Sequence, residues 1–511
     1  MLKKTLGTAG TEPGPTKTIV QANDSTKCAQ LGCDIDYGRK WHAMAAVGTG
    51  VFLATVDTSI INISLPTLVR VLDSQFAVVQ WVVLAYILTI TTTMLGIGRL
   101  SDMLGKKPIY MLGFIVFTMG SALCGTAPSV YWLIGFRIVQ GIGSAMILAL
   151  GAAILTEAFP PAERGKAMGL IGAVVSIGIV VGPAIGGIIL GALSWRWIFY
   201  VNLPVGIFGT IMVRRNVPDY RPAGRQRFDF WGALTLFFCL LILLLSLTWG
   251  QQCGFFTPAV LFLIGLSMIL LVVFVVLEKR VAHPMIDLKI FRNISFSISL
   301  FTGFICFVGL SGVLILMPFY LENILGFKIL HVGLLMGIVP VMLGIASPFA
   351  GSLSDRLGTR CLAVVGMGIM GIGYLAASTL TQNTSALGYM LRMFALGLGI
   401  GTFISPNNSG IMGTAQRHQL GIVSGMMAIT RTLGQTVGVA LMGAIWAGRT
   451  AVYAGGQIQG GATAAPVDAQ IFGLNDTFQT AAVLLGLAFL SGLWAYFREI
   501  RNKNVLKGPS R

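Results

Sequence analysis

The sequence predicts an all-α polytopic membrane protein: two homologous six-helix bundles plus an inserted two-helix hairpin, with about fourteen transmembrane helices. Three observations predict it. Charged residues are only 10% of 511 and hydrophobic ones 55%, whereas an ordinary soluble domain carries roughly 25% charge. Apolar runs close to the ~20 residues that cross a bilayer recur along nearly the whole chain. A short glycine and acid motif occurs twice, each time at the end of such a run. A soluble enzyme is excluded. The 65 glycines against 19 prolines suit closely packed membrane helices better than disorder.

Taken in order, residues 1–41 form a polar tail without the apolar stretch of a secretory signal, read as a cytoplasmic arm. Spans then fall at 42–65, 77–98, 108–127, 130–156, 166–192 and 198–216, a first bundle over 42–216. The linker 217–295 holds two further spans, 231–250 and 257–279. A second bundle over 296–498 contains 296–321, 331–351, 361–381, 385–413, 421–448 and 476–498, and 499–511 is a second tail. An even number of spans puts both termini on one side. If that side is cytoplasmic, only Arg70, Arg196, Lys328 and Arg449 remain outside. The positive-inside bias then fixes the orientation in a plasma membrane, the inner one where a cell has two. It also accounts for the net charge of +17 without nucleic acid. Seven cysteines, Cys28 and Cys33 in the tail included, show neither zinc spacing nor a disulfide framework, so no metal or cofactor is expected.

The repeat is specific. Gly98-Arg99-Leu100-Ser101-Asp102-Met103-Leu104-Gly105 recurs as Gly351-Ser352-Leu353-Ser354-Asp355-Arg356-Leu357-Gly358, and two spans later an arginine sits in an apolar run, Arg137 and then Arg392. Parallel halves of this kind bind cargo between them near the midplane and rock to expose it to either side.

Four ordered stretches carry a family resemblance. They are Gly98-x-Leu100-x-Asp102-x-x-Gly105-Lys106-Lys107 after the second span, Arg137-x-x-Gln140-Gly141 in the fourth, Gly178-x-x-x-Gly182-Pro183-x-x-Gly186-Gly187 in the fifth, and Asp57-x-Ser59-Ile60-Ile61-Asn62-Ile63-Ser64-Leu65-Pro66 in the first. Together they resemble the motifs of the fourteen-helix drug:proton antiporters of the major facilitator superfamily, over all of the chain but its N-terminal tail. The resemblance implies proton-coupled multidrug efflux, and the fifth-helix motif is the ground for export over import. Met103 departs from the pattern, since the family usually has a basic residue there. Any charge network is therefore expected to be weaker in the first half and present only at Asp355-Arg356 in the second.

The loop motif sets an acid and a lysine pair between glycines where two helices turn. Gly98, Asp102, Gly105, Lys106, Asp355 and Arg356 are thus expected to form a latch, made in one conformer and lost in the other. The resemblance implies that it holds the outward-facing state through a helix of the opposite half; a plain tight turn with inside cations is the alternative. Gly178, Gly182, Gly186 and Gly187 share one helix face, and Pro183 removes a backbone hydrogen bond beside them. That smooth face is expected to pack and rock against a helix of the other half.

Ionisable residues within spans are functional candidates by default. Asp57 lies about fifteen residues into the first helix, roughly 20 Å deep at 1.5 Å per residue. It is the expected proton-coupling site, with Arg137 as the cation that modulates it; a structural acid fixed in one protonation state is the alternative. Arg392 and Arg431 either act likewise in the second half or bind backbone carbonyls. Glu157 and Glu322 read as solvated boundary acids. No G-x-x-x-x-G-K-[ST] loop occurs, so ATP hydrolysis within this chain is not expected. One proton crossing 100 mV releases about 2.3 kcal/mol, which sustains a concentration ratio of about fifty.

Asn62, Trp81, Tyr86, Gln140, Phe304, Arg392 and Arg431, with Phe307, Phe319 and Tyr320, are candidate cavity walls. No acid occurs in 331–351 or 385–413, so neutral, monocationic or anionic amphipathic molecules are the expected cargo. The rival readings are the same bundle moving a lipid, siderophore or organic anion, and a non-transporting sensor or scaffold. Expected partners are the small-molecule cargo, the proton and membrane lipids. The Gly- and Ala-rich loop from Arg449 to Asn475 reads as a linker, with a periplasmic adaptor protein as the alternative if the cell has two membranes.

Overall fold

A computed structural model describes residues 37–506 apart from 75, 218–228, 254–256, 282–283, 285, 287, 328, 417–418, 457–461 and 463–464. Cys28 and Cys33 lie outside the described residues. The long helices are α1 Lys40–Val71, α2 Trp81–Leu104, α3 Lys106–Thr126, α4 Val130–Ala158, α5 Arg164–Ala192, α6 Asn202–Asn216, α7 Phe230–Cys253, α8 Pro258–Arg280, α9 Ile294–Phe319, α10 Ile338–Leu357, α11 Thr359–Ala377, α12 Ala386–Thr414, α13 Leu420–Tyr453 and α14 Val467–Leu506. Thirteen stretches among the described residues are long and apolar enough to cross a membrane. The expected span 421–448 is not among them, although it forms α13, whose 34 residues interleave Arg431, Gln435, threonines and glycines with aliphatics.

Helices α1–α6 form one bundle and α9–α14 the other. In the first, α4 packs on α1, α2 and α3, while α5 and α6 lie on α1; in the second, α12 packs on α10 and α11, and α9 on α13 and α14. The hairpin α7–α8 docks through α7 along the seam where α2 meets α13.

The repeated motif builds the same turn twice. Gly105 (φ 100) joins α2 to α3 and Gly358 (φ 97) joins α10 to α11, backbone values that a side chain disfavours. Each glycine N–H donates to a serine carbonyl, Ser101 or Ser354, at 2.9 Å. Each serine hydroxyl in turn donates to the Gly98 or Gly351 carbonyl at 2.7 Å.

At this turn end the halves meet along two helix pairs, α2 with α13 and α5 with α10. Both are backbone-to-backbone contacts that only glycine admits. A Cβ on Gly98 would lie 2.7 Å from the Gly421 carbonyl oxygen, and one on Gly421 2.6 Å from that of Gly98. Gly351 and Gly165 face each other's carbonyls in the same way, Gly169 and Gly172 continue onto Ser347, and the Ser176 hydroxyl donates to the Pro340 carbonyl. Without a hydrophobic drive between helices in lipid, such close approach is what holds them together. Buried apolar clusters follow the same division. One runs across both halves at the turn end, through Ala153, Phe274, Phe296, Met412 and Val423. The first half keeps its own cluster toward the far end, with Val56, Leu133 and Phe199, and the second half its own, with Tyr320, Tyr374 and Phe478. Among the described residues the halves thus share an apolar cluster at the turn end and keep separate ones toward the far end, while the α5–α10 contact runs as far as Pro340 in the first turn of α10.

Candidate functional site

Asp57 on α1 is buried, and both of its carboxylate oxygens accept hydrogen bonds. Arg137 Nη1 donates to Oδ2 at 2.7 Å, and Gln140 Nε2 and Asn202 Nδ2 donate to Oδ1 at 2.9 and 2.8 Å. Arg137 and Gln140 lie one turn apart on α4, so they reach the same group from one face, and Asn202 opens α6. Further contacts orient these donors. Arg137 Nη1 also donates to Gln140 Oε1 at 2.7 Å, its Nε donates to the Val82 carbonyl at 3.1 Å, and its guanidinium stacks 3.8 Å from the centroid of the Tyr86 ring. The Tyr86 hydroxyl donates to Ser144, and Asn202 also donates to Ser121. An ion pair sealed this completely depends on such geometry, because attraction must offset the desolvation of both charges. Arg137 Nη2 is the exception, enclosed without a partner.

The two copies of the loop motif act on each other's half. Asp102 accepts from the backbone N–H groups of Gly421 at 2.9 Å and Ile422 at 3.0 Å, the second and third residues of α13. Asp355 accepts from Gly165 at 2.8 Å and Lys166 at 3.0 Å, the same positions of α5. Free N–H groups at a helix start need acceptors and favour a negative charge; here each comes from the opposite bundle. Lys106 lies 3.3 Å from Asp102 and 3.0 Å from Glu157.

Several expectations are corrected. The charge network is stronger in the first half, because Lys106, one turn beyond Asp102, bridges two acids where Met103 has no charge to offer. Arg356 is exposed and makes no ion pair among the described residues. Glu157 is a partner of Lys106 and not a solvated acid, while Glu322 is exposed. The fifth-helix glycines do not meet the other half: Gly178 and Gly182 admit Thr55 and Ser59 of α1, and a Cβ on Gly186 would lie 3.6 Å from Ile60. At about 100° per residue that face lies roughly a third of a turn from the one presenting Gly165, Gly169 and Gly172 to α10. Gly187 does share the α10 side, but so far along the helix that a Cβ there would meet nothing within 4 Å. The Pro183 side chain lies outside the described residues. Its missing N–H leaves the Ile179 carbonyl without a helical donor, and the Ser59 hydroxyl donates there at 3.2 Å.

Tyr86 and Gln140 are not cavity walls, since the buried carboxylate and guanidinium draw them inward. Arg392 is only in the second turn of α12, where its guanidinium donates to the Ala376 carbonyl at 3.1 Å, to Thr379 at 3.0 Å and to the Gly388 carbonyl at 2.9 Å. It caps the end of α11. Tyr320 is buried, donating to the Thr381 carbonyl, and Phe319 is exposed against Trp446. Trp81, Phe304, Phe307 and Arg431 are half-buried, and the Asn62 side chain lies outside the described residues. Sequence reasoning missed Asn202, Ser121 and Ser144. Their signal was weak: single small polar groups in apolar runs, which membrane helices often carry.

Comparison with known proteins agrees with this architecture. The sequence profile of the Major Facilitator Superfamily matches residues 47–439. The chain belongs to this superfamily. Similar relatives of this superfamily protein include the riboflavin transporter RibZ of Clostridioides difficile, 33% identical over 80% of this chain and 89% of that one. The multidrug transporter protein MdtP of Bacillus subtilis is 31% identical over 78% and 74%, and the multidrug resistance protein Stp of Mycobacterium tuberculosis 31% over 79% and 75%. Among solved structures, the human organic anion transporter MFSD10 superposes with a TM-score of 0.62 at 15% identity, covering 89% of this chain and 99% of that one. The proton:xylose symporter XylE does so with 0.60 at 14%, covering 87% and 95%. These two show the fold.

Proposed function

We propose that this transporter exports amphipathic organic molecules in exchange for protons, with Asp57 as the proton carrier. The observation that carries the reading is the buried Asp57–Arg137 pair. A proton and Arg137 compete for one carboxylate, so protonation requires the pair to loosen, and rocking of the bundles is the motion that loosens it. Relatives named as multidrug transporters support the cargo class. In this reading the turn end and both termini lie in the cytoplasm of a plasma membrane, so that the present conformer is outward-facing and the Asp102 and Asp355 contacts are its latch. The bundles would span 42–216 and 296–498, with the hairpin in the linker 217–295. The riboflavin transporter among the relatives favours a second reading, a flavin-like aromatic cargo, carried by the same cycle.

Everted vesicles loaded with a fluorescent amphiphile test this reading. The wild type should accumulate it and lose the gradient on adding a protonophore, and Asp57→Asn should not accumulate it. Uptake indifferent to both would refute proton antiport at Asp57.

A further inference from the structure

Arg431 stands in the middle of α13, about 17 Å from the Leu420 end at 1.5 Å per residue. It is surrounded by protein. Its guanidinium lies over the Phe307 ring of α9, 5.9 Å from the centroid, and makes no ion pair or hydrogen bond among the described residues. Yet its side chain is only half-buried, and none of its nitrogens is among the polar atoms sealed off from water. It therefore faces an open space inside the molecule.

Among the described residues of the helices around it, no carboxylate is available to neutralise it. Neither α13 nor α9 contains Asp or Glu. On the other helices packed against α13, Asp102 of α2 is spent on Gly421, Ile422 and Lys106, Glu157 of α4 on Lys106, and Glu499 of α14 on Arg360. Asp468 and Asp476 lie in the first turns of α14, toward the far end. Arg137 is already matched by Asp57. The central charges therefore sum to one uncompensated cation. A cation held at membrane depth demands a counter-charge, and a planar guanidinium fits carboxylate, sulfonate or phosphate oxygens in a fork.

We propose that Arg431 anchors the cargo by an anionic group, so that the transported molecule is an aromatic amphiphile bearing a carboxylate, sulfonate or phosphate, its apolar body resting on Phe304 and Phe307. This rests on the transport reading above and narrows its cargo class. Phe304 fits the role because it is half-buried and its backbone oxygen packs on Gly434, which holds α9 close to α13.

Two dyes with one xanthene skeleton and opposite charge test it: anionic fluorescein and cationic rhodamine 6G, bound to the purified full-length protein and read by fluorescence polarisation. The wild type should prefer fluorescein by about tenfold or more, the increment of one good charge contact. Arg431→Gln should bring the ratio close to one, Arg431→Lys should retain most of the preference, and Arg431→Glu should reverse it. A wild-type ratio at or below one, or an unchanged ratio in Arg431→Gln, overturns the proposal; equal weakening of both dyes counts as an unchanged ratio. Should Arg431→Gln fail to fold, wild-type protein decides. Phenylglyoxal labelling of Arg431, read by mass spectrometry, should be blocked by fluorescein and not by rhodamine 6G, and labelling indifferent to fluorescein overturns the assignment. Binding needs no proton gradient, so failure of proton antiport would leave this result standing, and the reverse also holds.

Discussion

Replacing Asp102 by asparagine keeps the side-chain shape and removes the charge. In the wild type both oxygens accept from the start of α13, at 2.9 and 3.0 Å, with Lys106 at 3.3 Å. Asparagine offers one acceptor, so one N–H of α13 would face an amide NH2. A hydrogen bond to a charged group contributes about 1.5–3 kcal/mol, and an anion at a helix start about 0.3–1 kcal/mol more. The sealed conformer should therefore lose about 2–4 kcal/mol, a shift of about 30- to 1,000-fold in the closed-to-open ratio at 1.4 kcal/mol per decade. Amide hydrogen exchange reads this directly. Exchange at Gly421 and Ile422 will quicken in any case, because their cap is weakened. The informative amides are Gly165 and Lys166, bonded to Asp355 on the other helix pair. If the two contacts open as one rocking motion, Asp102→Asn must speed exchange there as well. Unchanged exchange at Gly165 and Lys166 would refute the shared latch and reduce Asp102 to a local helix cap.

Three further outcomes follow from the geometry. Arg137→Met leaves Asp57 buried without its cation and should lower the stability of the solubilised protein by about 3–5 kcal/mol, with Asp57→Asn added to it restoring part; equal melting of Arg137→Met and wild type would contradict the pair's role. Gly358→Ala meets no neighbouring atom, so its effect is backbone strain alone at φ 97, ψ 140, about 1–3 kcal/mol in denaturant unfolding. Gly351→Val drives a side chain into the Gly165 carbonyl and should slow vesicle transport in a folded protein, and wild-type rates would show that α5 and α10 need not approach so closely.

Much of the architecture was legible because its signals are local. Apolar run length marks a span, and the paired Gly98–Gly105 and Gly351–Gly358 stretches mark a parallel repeat without any knowledge of contacts. Helix α13 shows the limit of hydropathy: Gly421, Gly425, Gly434, Gly438 and Thr450 are buried in protein, so it need not be as apolar as a lipid-facing span. Helical periodicity told which glycines of α5 share a face but not which neighbour that face meets, and here the neighbour is α1. The Asp57 partners were half visible. Arg137 and Gln140 belong to one motif, whereas Asn202 arrives from 145 residues away and becomes meaningful only once α6 is packed. Met103 misled because charge compensation followed space rather than motif position, through Lys106 and Glu157.

Helix α5 ties the seam to the Asp57–Arg137 pair. Its residues 165–176 grip α10, and from Gly178 onward the same rod backs the stretch of α1 from Thr55 to Ile60 that carries Asp57. The Ser59 hydroxyl makes that backing specific, since it supplies the donor that Pro183 cannot give to the Ile179 carbonyl. Ser59→Ala should therefore remove that hydrogen bond and lower stability by about 0.5–1.5 kcal/mol. If transport is proton-coupled as proposed, the substitution should also loosen coupling, with more protons entering per molecule of cargo moved. Pro183→Ala returns an N–H to the helix, so Ser59 becomes redundant. In that background Ser59→Ala should have about 0.5–1 kcal/mol less effect, a coupling that a double-mutant cycle on thermal unfolding resolves. Strict additivity of the two substitutions would mean that the hydroxyl and the carbonyl meet by proximity alone, and that motion of α5 reaches Asp57 by some other contact.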